Sequence, residues 1–465
     1  MKNNVKFERV LSRFDVLCLS FGAMIGWGWV VLTGDWLTSA GLLGAILAFL
    51  VGGIIVTFVG LTYSELTSAM PKAGGEHAWT HRALGSKWSF VVSWSISLGY
   101  ISVVAFEAVA LPTVIEYIFP NYKVGFMWTV AGWDVYASWV AVGMIGAIII
   151  TALNYFGLKQ AAKFQFIVTV LLALVGLSLV GGAAITPTPS DAIPSFINGW
   201  TGFMAVLVMI PFMFVGFDVI PQAAEEINLP HKQIGSVLII SVIMAVVWYI
   251  GMIFGVGKGL GQGQLADSSL ATADAMGAIF SSPVATQILI IAGVGGILTS
   301  WNSFLIGGSR VIYAMAKSHM LPSWLGELHP KYKTPSNAIL FIGVLSVLAP
   351  LCGRKMLVWL VDAGGLAIVI SYLLVGISFI ILRKREPQMP RPFRAGNNSA
   401  VGYIAVILSI GLAVLYMPGM PAALVWPYEW IIFGGWWALG AYYLIKTPHE
   451  EYDYSEEKVK SIQVS

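Results

Sequence analysis

Two carboxylates stand where an apolar chain rarely keeps a charge. Glu107 lies inside Val103-Val104-Ala105-Phe106-Glu107-Ala108, and Asp218 ends the run Ile210-Pro211-Phe212-Met213-Phe214-Val215-Gly216-Phe217-Asp218. A charge at the centre of a membrane helix costs roughly 3 kcal/mol, so one that is retained points to a substrate or ion path. Glu107 fits three roles: a proton carrier, a counter-charge for a cationic substrate, or a structural partner for a helix hydroxyl. Asp218 has a further distinction, because Pro211 and Gly216 interrupt the same stretch. Proline removes a helix hydrogen bond, and the backbone it frees can bind a ligand.

The first apolar stretch carries a similar interruption, Phe21-Gly22-Ala23-Met24-Ile25-Gly26-Trp27-Gly28-Trp29-Val30. Glycine costs about 1 kcal/mol against alanine inside a helix, so three in seven positions mark a place where the helix can open. Glycines alone would equally serve close helix packing. The Pro–Gly–Asp interruption five apolar stretches later favours opening. Paired breaks in two halves of a chain point to an inverted repeat with a binding site near the midplane. Opened backbone presents N–H groups on one side and carbonyls on the other. A zwitterion such as an amino acid matches both sets.

Other chemistries lack their residues. The six histidines (His77, His81, His231, His319, His329 and His449) are scattered among loops and tail, and no HExxH spacing occurs. Cys18 and Cys352 make neither a disulfide scaffold nor a thiolate cage. The run Gly257-Lys258-Gly259-Leu260-Gly261-Gln262-Gly263 follows no strand and reads as a flexible outer loop. The sequon Asn397-Asn398-Ser399 falls on the side expected to be cytoplasmic. No nucleophile–base pair is visible, so the chain is not expected to be an enzyme. A channel is disfavoured because no continuous polar stripe runs through it.

The elements that must position these residues are membrane helices. Of the 465 residues, 57% are apolar and 11% charged, and the mean hydropathy is +0.80. Soluble domains carry about 25% charged residues, so an ordinary soluble enzyme is excluded. A net charge of +3 leaves no basic footprint for nucleic acid. Twelve apolar runs of spanning length occur, at roughly 14–37, 41–68, 87–119, 135–156, 163–185, 199–227, 234–257, 283–316, 336–352, 357–382, 400–418 and 424–446. The first begins after Lys2, Lys6, Arg9 and Arg13 without a small-residue cleavage site, and reads as a retained helix. On this topology 21 Lys and Arg fall on the side of the termini and four on the other, which places both termini in the cytoplasm of a multi-pass plasma-membrane protein.

At these residues the chain resembles the amino acid–polyamine–organocation (APC) superfamily permeases. Four stretches carry the resemblance: Ile25-Gly26-Trp27-Gly28; Tyr63-Ser64-Glu65-Leu66 through Met70-Pro71-Lys72-Ala73-Gly74-Gly75-Glu76; Gly216-Phe217-Asp218 with Ala224-Glu225-Glu226-Ile227-Asn228-Leu229-Pro230; and Ser309-Arg310-Val311-Ile312-Tyr313-Ala314 with Leu321-Pro322 and Thr334-Pro335. The second and fourth are the more specific pair. The resemblance implies an all-α polytopic membrane protein of twelve transmembrane helices, with a leucine-transporter-like 5+5 inverted repeat whose helices 1 and 6 break at mid-membrane. Its expected parts are a cytoplasmic N-terminus (1–13), a first repeat (14–185), an inverted second repeat (199–382), helices 11 and 12 (400–446) and a cytoplasmic tail (447–465).

By that resemblance, N–H groups of Gly26, Trp27 and Gly28 would hold a substrate carboxylate. Carbonyls of Ile25, Phe212, Met213 and Val215 would hold its ammonium, and Phe212 would close over it from outside. Trp27 departs from the small residue usual there and is expected to shrink or reshape the pocket. Asp218 replaces a more common Glu. Where sodium-independent members often carry a fifth-helix lysine, this chain has Leu172. Sodium-coupled relatives of the wider fold would place the ion at Gly22, Ile25, Gly296, Thr299 and Ser300, a five-oxygen shell suited to a hard cation; the alternative is that Thr299 and Ser300 bond back within their helix. Glu65, Glu225, Glu226 and Arg310 read as gate salt bridges and loop anchors. The expected function is import or exchange of a small, neutral amino acid by alternating access. The coupling ion is sodium or a proton, with no other cofactor and no obligate protein partner. The alternative is an amine or polyamine permease using Glu107 and Asp218 as counter-charges.

Overall fold

The computed structural model describes residues 6–447 apart from 269, 421 and 422. The expected tail therefore lies outside the described residues from 448 onward. In a bilayer every backbone polar group must be satisfied within the protein, which favours helices for an apolar chain of this kind. The chain begins with α1 (Arg13–Met24), whose start is fixed by reciprocal capping between Ser12 and Asp15. Then come α2 (Gly28–Ala69), α3 (Glu76–Leu84) and α4 (Ser86–Ile118). A hairpin of β1 (Phe126–Val130) and β2 (Trp133–Tyr136) leads into α5 (Ala137–Tyr155) and α6 (Leu158–Ile185). Short pieces α7 (Gly199–Leu207), α8 (Ile210–Phe214) and α9 (Val219–Gln222) precede α10 (His231–Gly259), α11 (Gln262–Asp267), α12 (Ala271–Phe280) and α13 (Pro283–Lys317). The chain closes with α14 (Ser336–Leu348), α15 (Met356–Arg385), α16 (Ala400–Leu415) and α17 (Tyr428–Lys446).

Among the described residues, eight helical segments are long and apolar enough to cross a membrane, and two more, Ser336–Cys352 and Ala400–Leu415, are apolar but shorter. The number differs from twelve partly because the first two apolar runs meet without a loop. Helix α2 carries on through both, bending at Gly41, where φ is +78°. A side chain there would lie 2.5 Å from the Pro194 carbonyl oxygen. That segment accepts the donors the bend frees, Leu42 N–H at 3.0 Å on Pro194 and Leu43 N–H at 2.9 Å on Ser195.

Helices α4 and α15 are the most enclosed of the long helices. Outer helices turn apolar side chains such as Ile148, Leu174 and Ile407 outward, as contact with lipid requires. The β-hairpin was not anticipated from hydropathy. Its turn residues Ala131 and Gly132 both have positive φ, the geometry that matches a two-residue turn to strand twist. Trp128 Nε1 ties it to the Leu351 carbonyl at 3.0 Å. The glycine run expected to be a flexible loop is instead the end of α10 and the start of α11. Asp191 holds it, accepting from Gly263 N–H at 3.1 Å, while its carbonyl accepts from Gln262 N–H at 2.8 Å.

Candidate functional site

Helix α1 ends at Met24, Ile25 leaves helical geometry at φ −95° and ψ 40°, and helix resumes at Gly28. The first turn of α2 thus has N–H groups without intrahelical partners. The second break follows Phe214: Val215 is extended (φ −58°, ψ 138°) and Gly216 has φ +132°. The breaks touch. A Cβ on Gly216 would lie 2.7 Å from Ala23 Cβ and 2.9 Å from Met24 N, so only glycine allows this approach. Tyr249 of α10 joins them: its hydroxyl donates to the Met24 carbonyl at 2.6 Å, with the Met213 carbonyl 3.0 Å away.

A cavity of about 640 Å³ starts at these breaks and rises to the hairpin end of the bundle, where Arg354, Lys355 and Val358 are exposed. Gly26, Trp27, Gly28, Phe212, Met213, Val215 and Glu107 all border it; Ile25 and Asp218 do not. Phe212 packs edge-on against Phe106, ring centroids 5.9 Å apart. Glu107 and Ser300 converge on Gly26, their Oε1 and Oγ lying 3.2 Å and 3.1 Å from where a Cβ would stand. Trp27 turns its ring against α13, where a Cβ on Gly293 would lie 2.1 Å from ring atom Cζ3. Gly293 therefore takes up much of the bulk expected to fill the pocket.

Of the five residues expected around a sodium ion, Gly22, Gly296 and Thr299 come together. The Thr299 hydroxyl donates to the Gly296 carbonyl at 3.0 Å and the Gly22 carbonyl at 3.1 Å, bonding both within its helix and across to α1. Ser300 points instead toward Gly26 and Glu107. Leu172 is buried, with its methyl 3.1 Å from where a Gly296 Cβ would be. Asp218 accepts from Gly216 N–H at 2.9 Å and faces away from the cavity. Among the described residues no group of three or more His, Cys, Asp or Glu could hold a metal ion.

The opposite end of the bundle, where the N-terminal segment lies, is sealed. Arg310 makes a two-pronged pair with Glu226, Nε–Oε2 and Nη2–Oε1 both 2.9 Å, with both side chains buried. Val10 and Leu11 N–H groups donate to the Glu226 carbonyl, and Asn228 N–H returns a bond to Leu11 at 2.9 Å. Glu65 pairs with Arg383 and Arg391 and accepts from Ala395 N–H at 2.8 Å, anchoring the segment after α15. Glu225 accepts from Ala73 N–H at 3.2 Å.

Three features escaped sequence reasoning. Tyr249, an ordinary tyrosine in an apolar run, is the clamp between the breaks. Gln165, Asn154 and Asn302 form a buried chain, Asn154 donating to Asn302 at 2.9 Å and Asn302 to Gln165 at 2.9 Å; Gln165 reaches the Cys18 carbonyl at 3.1 Å. Glu76, quoted only as part of a motif, is buried beside Gln222, which donates to it.

Comparison with known proteins finds relatives along most of the chain. The chain is 27% identical over 415 residues to a branched-chain amino acid permease of Bacillus subtilis, covering 87% of each chain. It is 24% identical over 464 residues to a methylthioribose transporter of the same organism, covering 95% of this chain and 94% of the other. It is 24% identical over 430 residues to an aspartate–proton symporter, also from Bacillus subtilis, covering 88% of this chain and 79% of the other. The amino acid permease family model matches residues 11–439, and with its helices of membrane-spanning length the chain belongs to that family of multi-pass membrane transporters within the APC superfamily.

Proposed function

We propose that the chain is a secondary active transporter that moves a small, neutral amino acid across the plasma membrane by alternating access, coupled to a cation or by exchange. The observation that carries this reading is one cavity ending on two touching helix breaks, open toward the hairpin end and sealed at the other. Such a shape suits a carrier caught open to one side. The proposed architecture is twelve spans, with 14–185 and 199–382 as inverted repeats, 400–446 peripheral and both termini cytoplasmic; the hairpin end is then outside. In this reading N–H groups of Gly26, Trp27 and Gly28 take the substrate carboxylate. Carbonyls of Phe212 and Val215 take the ammonium; of the other two expected, Met213's is already shared with Tyr249 and Ile25 does not border the cavity. The proposed sodium shell is Gly22, Ile25, Gly296, Thr299 and Ser300, of which the first, third and fourth already lie together, while Ser300 would have to turn from Glu107 to complete it.

The relatives' names range over branched-chain amino acids, aspartate and methylthioribose, so similarity alone leaves the substrate open. The second reading, an amine permease, draws on Glu107, which borders the cavity with its Oε2 unpartnered. Asp218 supports it less, because it does not face the cavity. Proteoliposome uptake of a labelled amino-acid panel, under separate sodium and proton gradients, tests both. Alanine or serine uptake unaffected by excess putrescine sinks the amine reading. Absence of counterflow for the whole panel sinks the amino-acid reading.

A further inference from the structure

The surface of the sealed end carries cations that its own carboxylates do not use. The end of α15 and the segment leading to α16 hold Arg383, Lys384, Arg385, Arg391 and Arg394 against one acid, Glu386. Those five cations are not equivalent. Arg383 and Arg391 turn inward onto Glu65, and Glu386 is taken by Arg82 of α3. Lys384, Arg385 and Arg394 are exposed. Arg385 donates to the Ala83 carbonyl at 3.4 Å, and Arg394 to the Asn397 carbonyl at 3.4 Å. Among the described residues no carboxylate pairs with Lys384 or Arg394.

Hydrogen bonds of Arg383 bring these two cations together. Its Nη2 donates to the Ala395 carbonyl at 3.0 Å and to the Gly396 carbonyl at 3.1 Å, so Lys384 and Arg394 leave neighbouring points of one surface. That surface adjoins an apolar face. Lys384 Nζ stands 5.4 Å from the ring centroid of Tyr403, in the first turn of α16. Tyr403, Ile407, Ile410 and Val414 are exposed, and their spacing of four, three and four residues sets them along one side of that helix. Tyrosine is favoured where membrane meets water, which puts Lys384 at the level of lipid headgroups. A soluble anion would use the cations alone, whereas an amphiphile with an anionic head uses the cations and the strip together.

We propose that this surface binds a phospholipid with an anionic headgroup, its phosphate held by Lys384 and Arg394 and an acyl chain lying along Tyr403, Ile407, Ile410 and Val414. Anionic lipid attracts basic side chains next to a membrane helix, and here the bound head also braces an internal contact. Arg394 precedes Ala395, whose N–H donates to Glu65 at 2.8 Å, and Lys384 follows Arg383, which pairs with the same carboxylate. An occupied surface therefore supports the sealed end, whatever substrate is carried.

The test is native mass spectrometry of the detergent-solubilised protein titrated with phosphatidylglycerol, with phosphatidylcholine as the zwitterionic comparison. Wild type should retain phosphatidylglycerol in preference. Each basic side chain near an anionic surface contributes about a factor of five, so Lys384→Gln with Arg394→Gln should weaken that retention about thirtyfold. Lys331→Gln with Lys333→Gln removes the same charge from another loop and should change it by less than about threefold. Equal retention of the two lipids by wild type overturns the proposal, and that comparison stands even if a variant fails to fold. A loss below about fivefold in the Lys384–Arg394 double variant, or an equal loss in the Lys331–Lys333 pair, overturns it too. Residues 450–457 include five acids; phosphatidylglycerol retained only after removal of 448–465 would make the chain's own tail the occupant, and would likewise overturn it.

Discussion

Gly293→Ala is a one-methyl change with a calculable consequence. The new Cβ would lie 2.1, 2.8 and 3.3 Å from Trp27 ring atoms Cζ3, Cε3 and Cη2. Comfortable carbon–carbon contact is about 3.5–4.0 Å, so the indole must retreat by about 1.5 Å. Helix α13 blocks one direction, and the cavity lies in the other. Overpacking a fitted site costs about 1–3 kcal/mol. If that cost falls on substrate binding, it corresponds to a rise in KM of about 5- to 150-fold. The assay is initial-rate uptake in proteoliposomes, with Tm of the purified protein measured alongside. KM should rise most for the larger substrates of the panel. Trp27→Phe in the same chain, by shortening the ring, should restore most of the affinity. A Gly293→Ala protein with wild-type KM and Tm would refute the reasoning. So would an equal loss of affinity in the Trp27→Phe background, where the clash is absent.

Three further perturbations address the remaining parts. Thr299→Ala with Ser300→Ala should abolish sodium-stimulated uptake while protein still reaches the membrane; wild-type uptake indifferent to sodium removal refutes the ion shell outright. Arg310→Ala strands Glu226 unpaired and buried, a change that typically costs about 3–5 kcal/mol, so Tm should fall markedly. Arg310→Lys should recover only part of that, since a lysine cannot reproduce the two-pronged contact; an unchanged Tm for Arg310→Ala would mean the seal is not a stabilising element. Glu107→Gln should leave KM for neutral amino acids within about threefold, a change below 1 kcal/mol, and abolish any amine transport. Loss of neutral uptake with retained membrane insertion would instead make Glu107 essential to coupling.

The breaks were legible in the sequence because glycine and proline are costly inside helices, so Gly22, Gly26, Gly28, Pro211 and Gly216 stand out without any partner being known. Carboxylates in apolar runs were legible for the same reason. What each break touches was not. Tyr249 acquires its role only when α10 brings it to Met24 and Met213, 225 and 36 residues away in sequence. The reshaping expected of Trp27 depended on Gly293, a small residue on a distant helix whose value is an empty slot. Asp218 was assigned to the substrate from its position on a break, but the direction of its side chain depends on backbone geometry at Gly216. Glu76 went unweighed because a carboxylate in a loop motif looks solvated until the fold encloses it. The bend at Gly41 was missed because hydropathy registers only a dip there, and the stabilising partner, Pro194–Ser195, is again remote.

The Tyr249 clamp has a kinematic consequence. One phenolic proton is placed between a carbonyl of the first break and a carbonyl of the second. Gly216 meanwhile presses backbone to backbone against Met24. Parting the two interrupted helices would orphan a buried carbonyl and open a void at once. Moving the two interrupted helices together with α10 keeps these contacts, whereas moving either one alone breaks them.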